Sequence, residues 1–274
     1  MCNLLSANFM RLRKEKVFWI MFCFMLALGI IFPTSIKIDE VRTGYVNNID
    51  NIFGQYAMFI GIVMAIFCSF FVGKEYSDQT IRNKIISGKK RTDIYLANFI
   101  SCAAASIILC VVFFLSYLCI GITLLGFFTI DINIVFLFLL TVIALSVAFS
   151  SIFNLIAMLS VNKAVTAVIC ILSAFIFLFI GMQLNKMMNE PETILGMTIT
   201  ETGESYEETP NPKYLNDKER RLVQFAYDFL PGGQVVQCVA IDAANLPMLP
   251  VYSFIIIVST TGIGLFCFKR KALK

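Results

Sequence analysis

The chain has 274 residues, of which 58% are hydrophobic and only 15% are charged, with 27 Phe, 12 Met, no His and a formal net charge of +4. Because a soluble domain carries about 25% charged residues, this composition is typical of a membrane protein. The lack of His excludes His-based catalysis and, with the Cys residues scattered through apolar runs and no C-x-x-C pair, leaves little material for a zinc site.

The N-terminal segment is predicted to form an amphipathic helix at the membrane interface. Its apolar face, expected to meet lipid, consists of Leu4, Leu5, Phe9 and Leu12. Its basic residues, expected to meet phosphate headgroups, are Arg11, Arg13, Lys14 and Lys16. A simple orientation signal is the alternative. The apolar run that follows is too long for a secretory signal peptide and lacks a cleavage site, so we expect a retained first span.

Long apolar runs predict an all-α membrane protein with six membrane-spanning helices in one domain, residues 1–274. The expected spans are about 17–36, 52–73, 95–125, 134–161, 164–185 and 247–268. Only Asp131 interrupts residues 94–162, so either two long spans or three short ones fit that stretch. Lys and Arg near the span ends favour two, with both termini cytoplasmic and an outer turn at about 126–133.

This topology separates the charges of the chain. Fifteen of the 22 Lys and Arg residues fall on the cytoplasmic side, whereas fourteen of the 18 Asp and Glu residues fall outside. The basic face suits anionic lipids or an acidic partner, and it also serves simply to orient the protein. The six spans as drawn contain no ionisable Asp, Glu, Lys or Arg, which weighs against ion-coupled transport and intramembrane proteolysis.

A polar segment, GKEYSDQTIRNKIISGKKR at 73–91, separates spans two and three and is predicted to contain a short amphipathic helix. Ser77 and Asp78 can cap its start, and Gly88 can end it. The apolar residues expected on one side are Ile81, Ile85 and Ile86. A solvated loop and a helix that docks into a groove on a cytoplasmic partner both fit this pattern.

The large outer loop, residues 186–242, has two parts. The first, NEPETILGMTITETGESYEETPNPK, is acidic and rich in Thr, Gly and Pro, so we expect it to be irregular or mobile. The second, RRLVQFAYDFLPGGQVVQCVA, predicts a half-buried helix that dips into the outer leaflet and stops at Pro231. Its apolar residues at helical spacing are Leu222, Val223, Phe225, Ala226, Phe229 and Leu230.

The chain resembles permease subunits of type 2 ABC transporters, the exporter family of bacitracin, lantibiotic-immunity and drug or sodium efflux systems. The matching pattern after span two is Gly73-x-Glu75, Thr80, Arg82, Ile85 or Ile86, Gly88 and Arg91. The resemblance extends to the basic NFMRLRKEKVFWI segment, the six spans, the large loop, FLPGGQVVQ and the terminal FKRKALK. Gly88 departs from the pattern, because family members often have Pro there.

The resemblance implies a multi-pass permease of a bacterial plasma membrane that pairs with a second copy or a paralogue. Two cytoplasmic ATP-binding subunits would bind ATP and Mg²⁺, since this chain has no G-x-x-x-x-G-K-[ST] phosphate loop. The helix after span two would be the coupling helix that receives their movement. Residues implied at that contact are Glu75, Tyr76, Thr80, Arg82, Ile85, Ile86, Gly88 and Arg91. Those implied at an outer gate, near a re-entrant helix before span six, are Phe225, Phe229, Pro231 and Gly232.

These features predict the membrane subunit of an ATP-driven exporter, not an enzyme in itself. The expected cargo is amphipathic or hydrophobic, such as an antimicrobial peptide, a drug or a lipid-like molecule. The expected partners are the ATP-binding subunits, the second permease chain and membrane lipids, without nucleic acid, and no cofactor is expected on this chain. An ion pair is expected for Glu75, either with Arg82 two helical turns away or with the ATPase. A non-transporting immunity or signalling anchor, and a channel or ion-coupled carrier, remain as alternatives.

Overall fold

The computed structural model describes residues 1–160, 162–200 and 203–271. Its helices are α1 (Cys2–Lys14), α2 (Lys16–Thr43), α3 (Tyr56–Ser77), α4 (Thr80–Ile86), α5 (Arg91–Leu125), α6 (Ile132–Leu159), α7 (Lys163–Met188), α8 (Asp217–Phe229), α9 (Pro231–Ala240) and α10 (Leu249–Arg270). Two 3₁₀ segments, Ile49–Gln55 and Leu246–Met248, precede α3 and α10. The strands are β1 (Thr193–Thr200) and β2 (Gly203–Pro210). The predicted all-α membrane class is confirmed.

Within the described residues, six helices are long and apolar enough to cross a membrane, namely α2, α3 with part of its preceding 3₁₀ segment, α5, α6, α7 and α10. Each overlaps one predicted interval. Residues 94–162 form two spans rather than three, because α5 ends at Leu125 and α6 begins at Ile132. The predicted end of span four at residue 161, and residues 272–274 of the terminal FKRKALK segment, lie outside the described residues.

The helix α3 is the centre of the bundle. In the 18-residue apolar stretch of α3, 72% of the residues are buried, compared with 44% for α6 and 22% for α2, α7 and α10. Aromatic rings fill the space around it, including the stacked pairs Phe67–Phe71 and Phe149–Phe153, with ring centroids 5.2 and 5.8 Å apart. Bulky rings bury a large apolar area, so this core is a packed interior rather than an open channel.

Contacts between distant parts of the chain define two ends of the bundle. At one end, the Met1 ammonium lies 3.9 Å from the Asp93 carboxylate, and Arg91 donates to the backbone oxygen of Lys269 at 3.2 Å. We call this the basic end, which comprises residues 1–16, 74–93, 159–160, 162–163 and 269–271. At the other end, Asp50 accepts a hydrogen bond from the Thr129 N–H at 2.9 Å. We call this the acidic end, which comprises residues 37–56, 125–132, 186–200 and 203–248.

The helix α1 packs on the protein rather than only on lipid. The side chains of Leu4 and Leu12 are buried in the core at 5% and 4% exposure, and α1 lies along α5. The expectation that these two leucines face lipid is therefore wrong, whereas Phe9 is 41% exposed. The periodicity shows that α1 is amphipathic, but the same apolar stripe can lie on lipid or on a neighbouring helix.

The first part of the large loop forms a hairpin of two strands, so the expectation of an irregular segment is wrong. The strands β1 and β2 pair antiparallel, from Thr193 opposite Pro210 to Thr200 opposite Gly203. Asn211 ties the base of the hairpin, because its N–H donates to the Glu192 oxygen at 2.9 Å. The β-branched Thr and Ile residues of TILGMTIT favour a strand. The overall composition of the segment, on which the expectation rests, does not show this local preference.

Two helices, not one, follow the hairpin. The predicted helix is α8, which starts at a capping box between Asn216 and Glu219 and ends at Phe229. Pro231 ends α8 as expected, but it also occupies the first position of α9, where proline is well tolerated. The buried helix of this region is α9, which packs on α7, whereas Leu222 and Phe225 of α8 are 71% and 55% exposed.

The contact between α7 and α9 depends on glycine. A Cβ atom placed on Gly232 would lie 1.6 Å from the backbone oxygen of Phe177, and one placed on Gly181 would lie 2.2 Å from the oxygen of Gly232. The backbones of the two helices therefore touch directly. Neither backbone can move aside as a flexible side chain would, so only glycine permits this approach.

We predict that Gly232→Ala destabilises the protein by at least about 2 kcal/mol, because α9 must move away from α7. Thermal unfolding in detergent would show a lower midpoint. Gly262→Ala is the matched control, since a Cβ there has no atom within 4 Å. Equal unfolding midpoints for the two variants would contradict the proposed close contact.

Candidate functional site

A buried carboxylate lies at the junction of α1, α3, α4 and α5 at the basic end. Glu75, in the last turn of α3, is 1% exposed. Its Oε1 accepts from Arg11 of α1 and from Lys84 of α4, and its Oε2 accepts from the Asn98 side chain of α5 at 2.8 Å. One carboxylate therefore joins four helices. We call Asn8, Arg11, Glu75, Lys84 and Asn98 the Glu75 network.

Two asparagines complete the network. The Nδ2 atom of Asn8 donates to Oδ1 of Asn98 at 2.7 Å, and both residues are buried. Lys84 also donates to Oδ1 of Asn8 at 3.3 Å. A buried carboxylate requires compensation by charges and hydrogen bonds, because its transfer from water is otherwise very unfavourable. Here two cations and an amide supply that compensation.

The guanidinium of Arg11 has a second interaction. Its central carbon lies 3.8 Å from the ring centroid of Phe71, on the same helix as Glu75. The Nε and Nη2 atoms of Arg11 are buried and have no hydrogen-bond partner. The aromatic face and Glu75 therefore hold this cation in place. Nearby, Lys74 pairs with Glu15 at 3.3 Å, which adds a link between α3 and the junction of α1 with α2.

The pairing of Glu75 corrects one prediction. Its intramolecular partners are Arg11 and Lys84 rather than Arg82, which is exposed. The seven-residue spacing of Glu75 and Arg82 would place them on one face only if a single helix held both. The chain instead turns between α3 and α4 at Gln79, whose φ is 54°. Thr80 supports the turn by donating to the backbone oxygen of Glu75 at 3.0 Å.

The ends of α4 were only partly predicted. Ser77 and Asp78 do not cap its start, because α3 continues through Ser77 and the Asp78 N–H still donates to the Lys74 oxygen. The expectation for Gly88 is confirmed: it follows α4 with φ 79° and donates to the Ile85 oxygen at 2.9 Å. A left-handed conformation there suits glycine, so this position has no need of the Pro that family members often carry.

The helix α4 has one buried and one exposed side. Ile81 is 1% exposed and Ile85 packs against the core, whereas Ile86 is 75% exposed. The prediction that all three isoleucines share one side is therefore wrong for Ile86, which lies about 100° around the helix from Ile85. Arg82 is exposed as well. We call Arg82, Asn83 and Ile86, together with Gly88, Lys89 and Lys90 just after the helix, the exposed face of α4.

Tyr76 and Arg91 belong to a second cluster at the same end. The Tyr76 hydroxyl donates to the backbone oxygen of Met158 at the end of α6. Arg91 donates to the backbone oxygens of Phe268 at 3.3 Å and Lys269 at 3.2 Å. Lys271 donates to the Met158 oxygen at 2.9 Å and to the Tyr76 hydroxyl at 3.1 Å. This cluster fixes the end of α10 to α3, α5 and α6.

The four residues expected at an outer gate lie in two places at the acidic end. The rings of Phe225 and Phe229 stack with centroids 5.8 Å apart, and both rings contact Tyr252 of α10. Pro231 and Gly232 are instead buried at the start of α9. The two aromatic residues border the surface, while the Pro-Gly pair sets the packing of α9.

Sequence reasoning missed Asn8, Asn98 and the role of Arg11. Two signals were present: Asn8 lies between Leu4 and Leu12 on the apolar stripe of α1, and Asn98 interrupts the apolar start of span three. A lone polar residue on an apolar stripe indicates a buried hydrogen bond. Its partner is 90 positions away in the chain, so periodicity could not identify it.

The bundle and its polar junction define a multi-pass membrane protein in which four helices meet at one buried carboxylate. A profile of the family described as ABC-2 family transporter protein matches residues 4–191, which is more than half of the chain. The chain belongs to this family and is a transporter membrane subunit, and membership of the family implies partnering with ABC ATP-binding subunits. The match spans α1 to α7 and ends before the hairpin. A search of curated proteins finds no match.

We predict that Glu75→Gln lowers the free energy of unfolding by about 2–4 kcal/mol, because Arg11 and Lys84 lose their common counter-ion. The thermal unfolding midpoint of the purified chain measures this loss. Asp78→Asn removes the same charge from an exposed residue of the same segment and should change the midpoint little. A similar midpoint for both variants would contradict the structural role of the network.

We predict a pH dependence from Lys271. Burial lowers the pKa of this side chain from 10.5 to about 8. A lowered pKa means that the folded state binds the proton more weakly than the unfolded state, so stability rises as pH increases from about 8 towards 10.5. The difference in unfolding midpoint between wild type and Lys271→Met should therefore change across this interval. A constant difference would contradict the lowered pKa.

Proposed function

We propose that this chain exports an amphipathic or hydrophobic cargo, driven by ATP-binding subunits that dock on the exposed face of α4. The observation that carries the proposal is the contrast within α4. Its inner side packs on the core, whereas Ile86 projects from the basic end at 75% exposure. An exposed isoleucine beside cationic side chains is typical of a helix that fits a groove on a partner.

The Glu75 network would transmit movement of α4 into the bundle. Lys84 of α4 and Arg11 of α1 share one carboxylate oxygen, and Asn98 of α5 holds the other. Displacing α4 alone would leave a buried carboxylate without one of its cations, which is strongly unfavourable. We therefore expect α1, α4, the start of α5 and the loop between α3 and α4 to move together when the ATP-binding subunits close.

The cargo path would lie between two permease chains. Stacked rings fill the centre of this bundle, so a route through one chain would require the core to open. Apolar side chains on α7 and α10, such as Phe175, Phe179 and Phe254, are 51%, 57% and 63% exposed. Such surfaces suit lipid, a second permease copy or paralogue, and an apolar cargo, for example an antimicrobial peptide, a drug or a lipid-like molecule.

The proposed location is a bacterial plasma membrane with the basic end in the cytoplasm. The positive residues of that end, including those of α1 and α4, follow the orientation rule for cytoplasmic segments. ATP and Mg²⁺ would be bound by the partner subunits, which supply the energy. At the acidic end, Phe225 and Phe229, with α9 behind them, would close the exit as an outer gate.

We predict that Ile86→Asp weakens association with the ATP-binding subunit about tenfold, which equals about 1.4 kcal/mol. Co-purification from membranes and cargo-dependent ATP hydrolysis in proteoliposomes measure the effect. The exposed side chain should tolerate the change without loss of folding. Leu222→Asp on α8 is a matched control, because Leu222 is 71% exposed at the opposite end.

Three outcomes distinguish the functions. Loss of both association and cargo movement with Ile86→Asp, but not with Leu222→Asp, supports an ATP-driven exporter. Association that depends on Ile86 without any cargo movement by wild type indicates a non-transporting anchor. Cargo movement that continues with a hydrolysis-deficient ATP-binding subunit indicates a channel or carrier and contradicts the proposal.

A further inference from the structure

Two adjoining cavities open at the acidic end, among α7, α8, α9 and the start of α10. The larger has a volume of about 640 Å³ and the smaller about 130 Å³. Met188, Arg220 and Gln224 line both cavities, so they form one continuous depression in the surface. Its size is sufficient for a small organic molecule.

The larger cavity has a buried acid in its wall. Asp228 is 2% exposed. Its Oδ1 accepts from the Gln224 amide at 2.7 Å, and its Oδ2 accepts from the Asn245 amide at 2.8 Å. Among the described residues, no Lys or Arg forms an ion pair with this carboxylate. Its negative charge therefore has neutral hydrogen-bond partners but no counter-ion.

The smaller cavity has an unpartnered acceptor in its wall. Gln237 is 1% exposed, and its Nε2 donates to the backbone oxygen of Tyr227 at 3.1 Å. The opposite amide atom, Oε1, is buried without a hydrogen-bond partner. A buried acceptor without a donor is unfavourable and rare, and a bound group with N–H or O–H donors would satisfy it.

The remaining lining sets the character of the site. Phe225 and Tyr252 provide an aromatic wall to the larger cavity, with ring centroids 5.9 Å apart. Arg220 and Arg221 line the same cavity but are exposed, so water already solvates their charges. The groups that lack compensation are the buried acceptors. The site therefore favours a hydrogen-bond donor with a positive charge over an anion.

We propose that this depression is a binding site for a small primary amine. The ammonium group would provide the counter-ion of Asp228, and one of its N–H groups would donate to Oε1 of Gln237. The apolar part of the amine would lie against Phe225 and Tyr252. The proposal concerns ligand binding by one chain and does not require ATP-driven export. If the basic end is cytoplasmic, the site faces the outside of the cell and samples external amines.

The test uses the purified full chain in a neutral maltoside detergent without any ATP-binding subunit. Phenethylamine is the probe, and 2-phenylethanol is a neutral molecule of similar size and shape that lacks the ammonium charge. We expect saturable binding of the amine by calorimetry, with an increase in unfolding temperature, and no saturable binding of the alcohol. This comparison on wild type does not depend on the folding of any variant.

Variants locate the bound amine. Asp228→Asn should weaken binding at least tenfold and Gln237→Leu severalfold. Glu192→Gln removes one negative charge from an exposed residue of the same loop, outside the cavity lining, and should leave binding unchanged.

Binding of the amine that is lost with Asp228→Asn and retained with Glu192→Gln supports the proposal. Equal effects of the amine and the alcohol, an unchanged affinity for Asp228→Asn, or stabilisation by inorganic phosphate instead of the amine would each overturn it. Failure of wild type to bind the amine would also overturn it, while the coupling role of α4 would be unaffected, because no ATP-binding subunit takes part in this measurement.

Discussion

The arrangement of the basic end depends on the carboxylate of Glu75, which is buried where four helices meet. Removing such a charge from water is costly, and a buried ion pair stabilises a fold no more than apolar residues of similar volume would. Its contribution is geometric, because each partner must keep its position for the charge to stay compensated. Arg11 and Lys84 cannot leave Glu75 independently, so α1 and α4 are held to the central helix α3.

The two ends of the bundle use polar groups differently. At the basic end, cations compensate the buried acid, and the tail of α10 is fixed by the contacts of Arg91 and Lys271. At the acidic end, among the described residues, Asp228 has no counter-ion and Oε1 of Gln237 has no hydrogen-bond donor. Both residues line an open depression. Between them, the aromatic core around α3 is closely packed. This division fits the proposed docking of ATP-binding subunits at the basic end and the proposed ligand site at the acidic end.

The sequence predicts what depends on local pattern. Apolar runs locate the six spans, and Gly88 marks the end of α4, because hydropathy and backbone conformation are properties of nearby residues. Contacts between distant residues were not predictable in this way. A partner of Glu75 comes from α1, 64 positions away. Ile86 faces outward because it lies about 100° around α4 from Ile85, whose side is packed on the core. The hairpin was missed because its acidic composition concealed the strand preference of its Thr and Ile residues.

The central claim, that ATP-binding subunits act on the exposed face of α4, is tested most directly by photo-cross-linking in native membranes. A photoreactive amino acid placed at position 86 should form an adduct with the ATP-binding subunit, and one placed at position 222 should not, since both positions are similarly exposed at opposite ends. An adduct from position 222, or none from position 86 while the subunits still co-purify, would contradict the account.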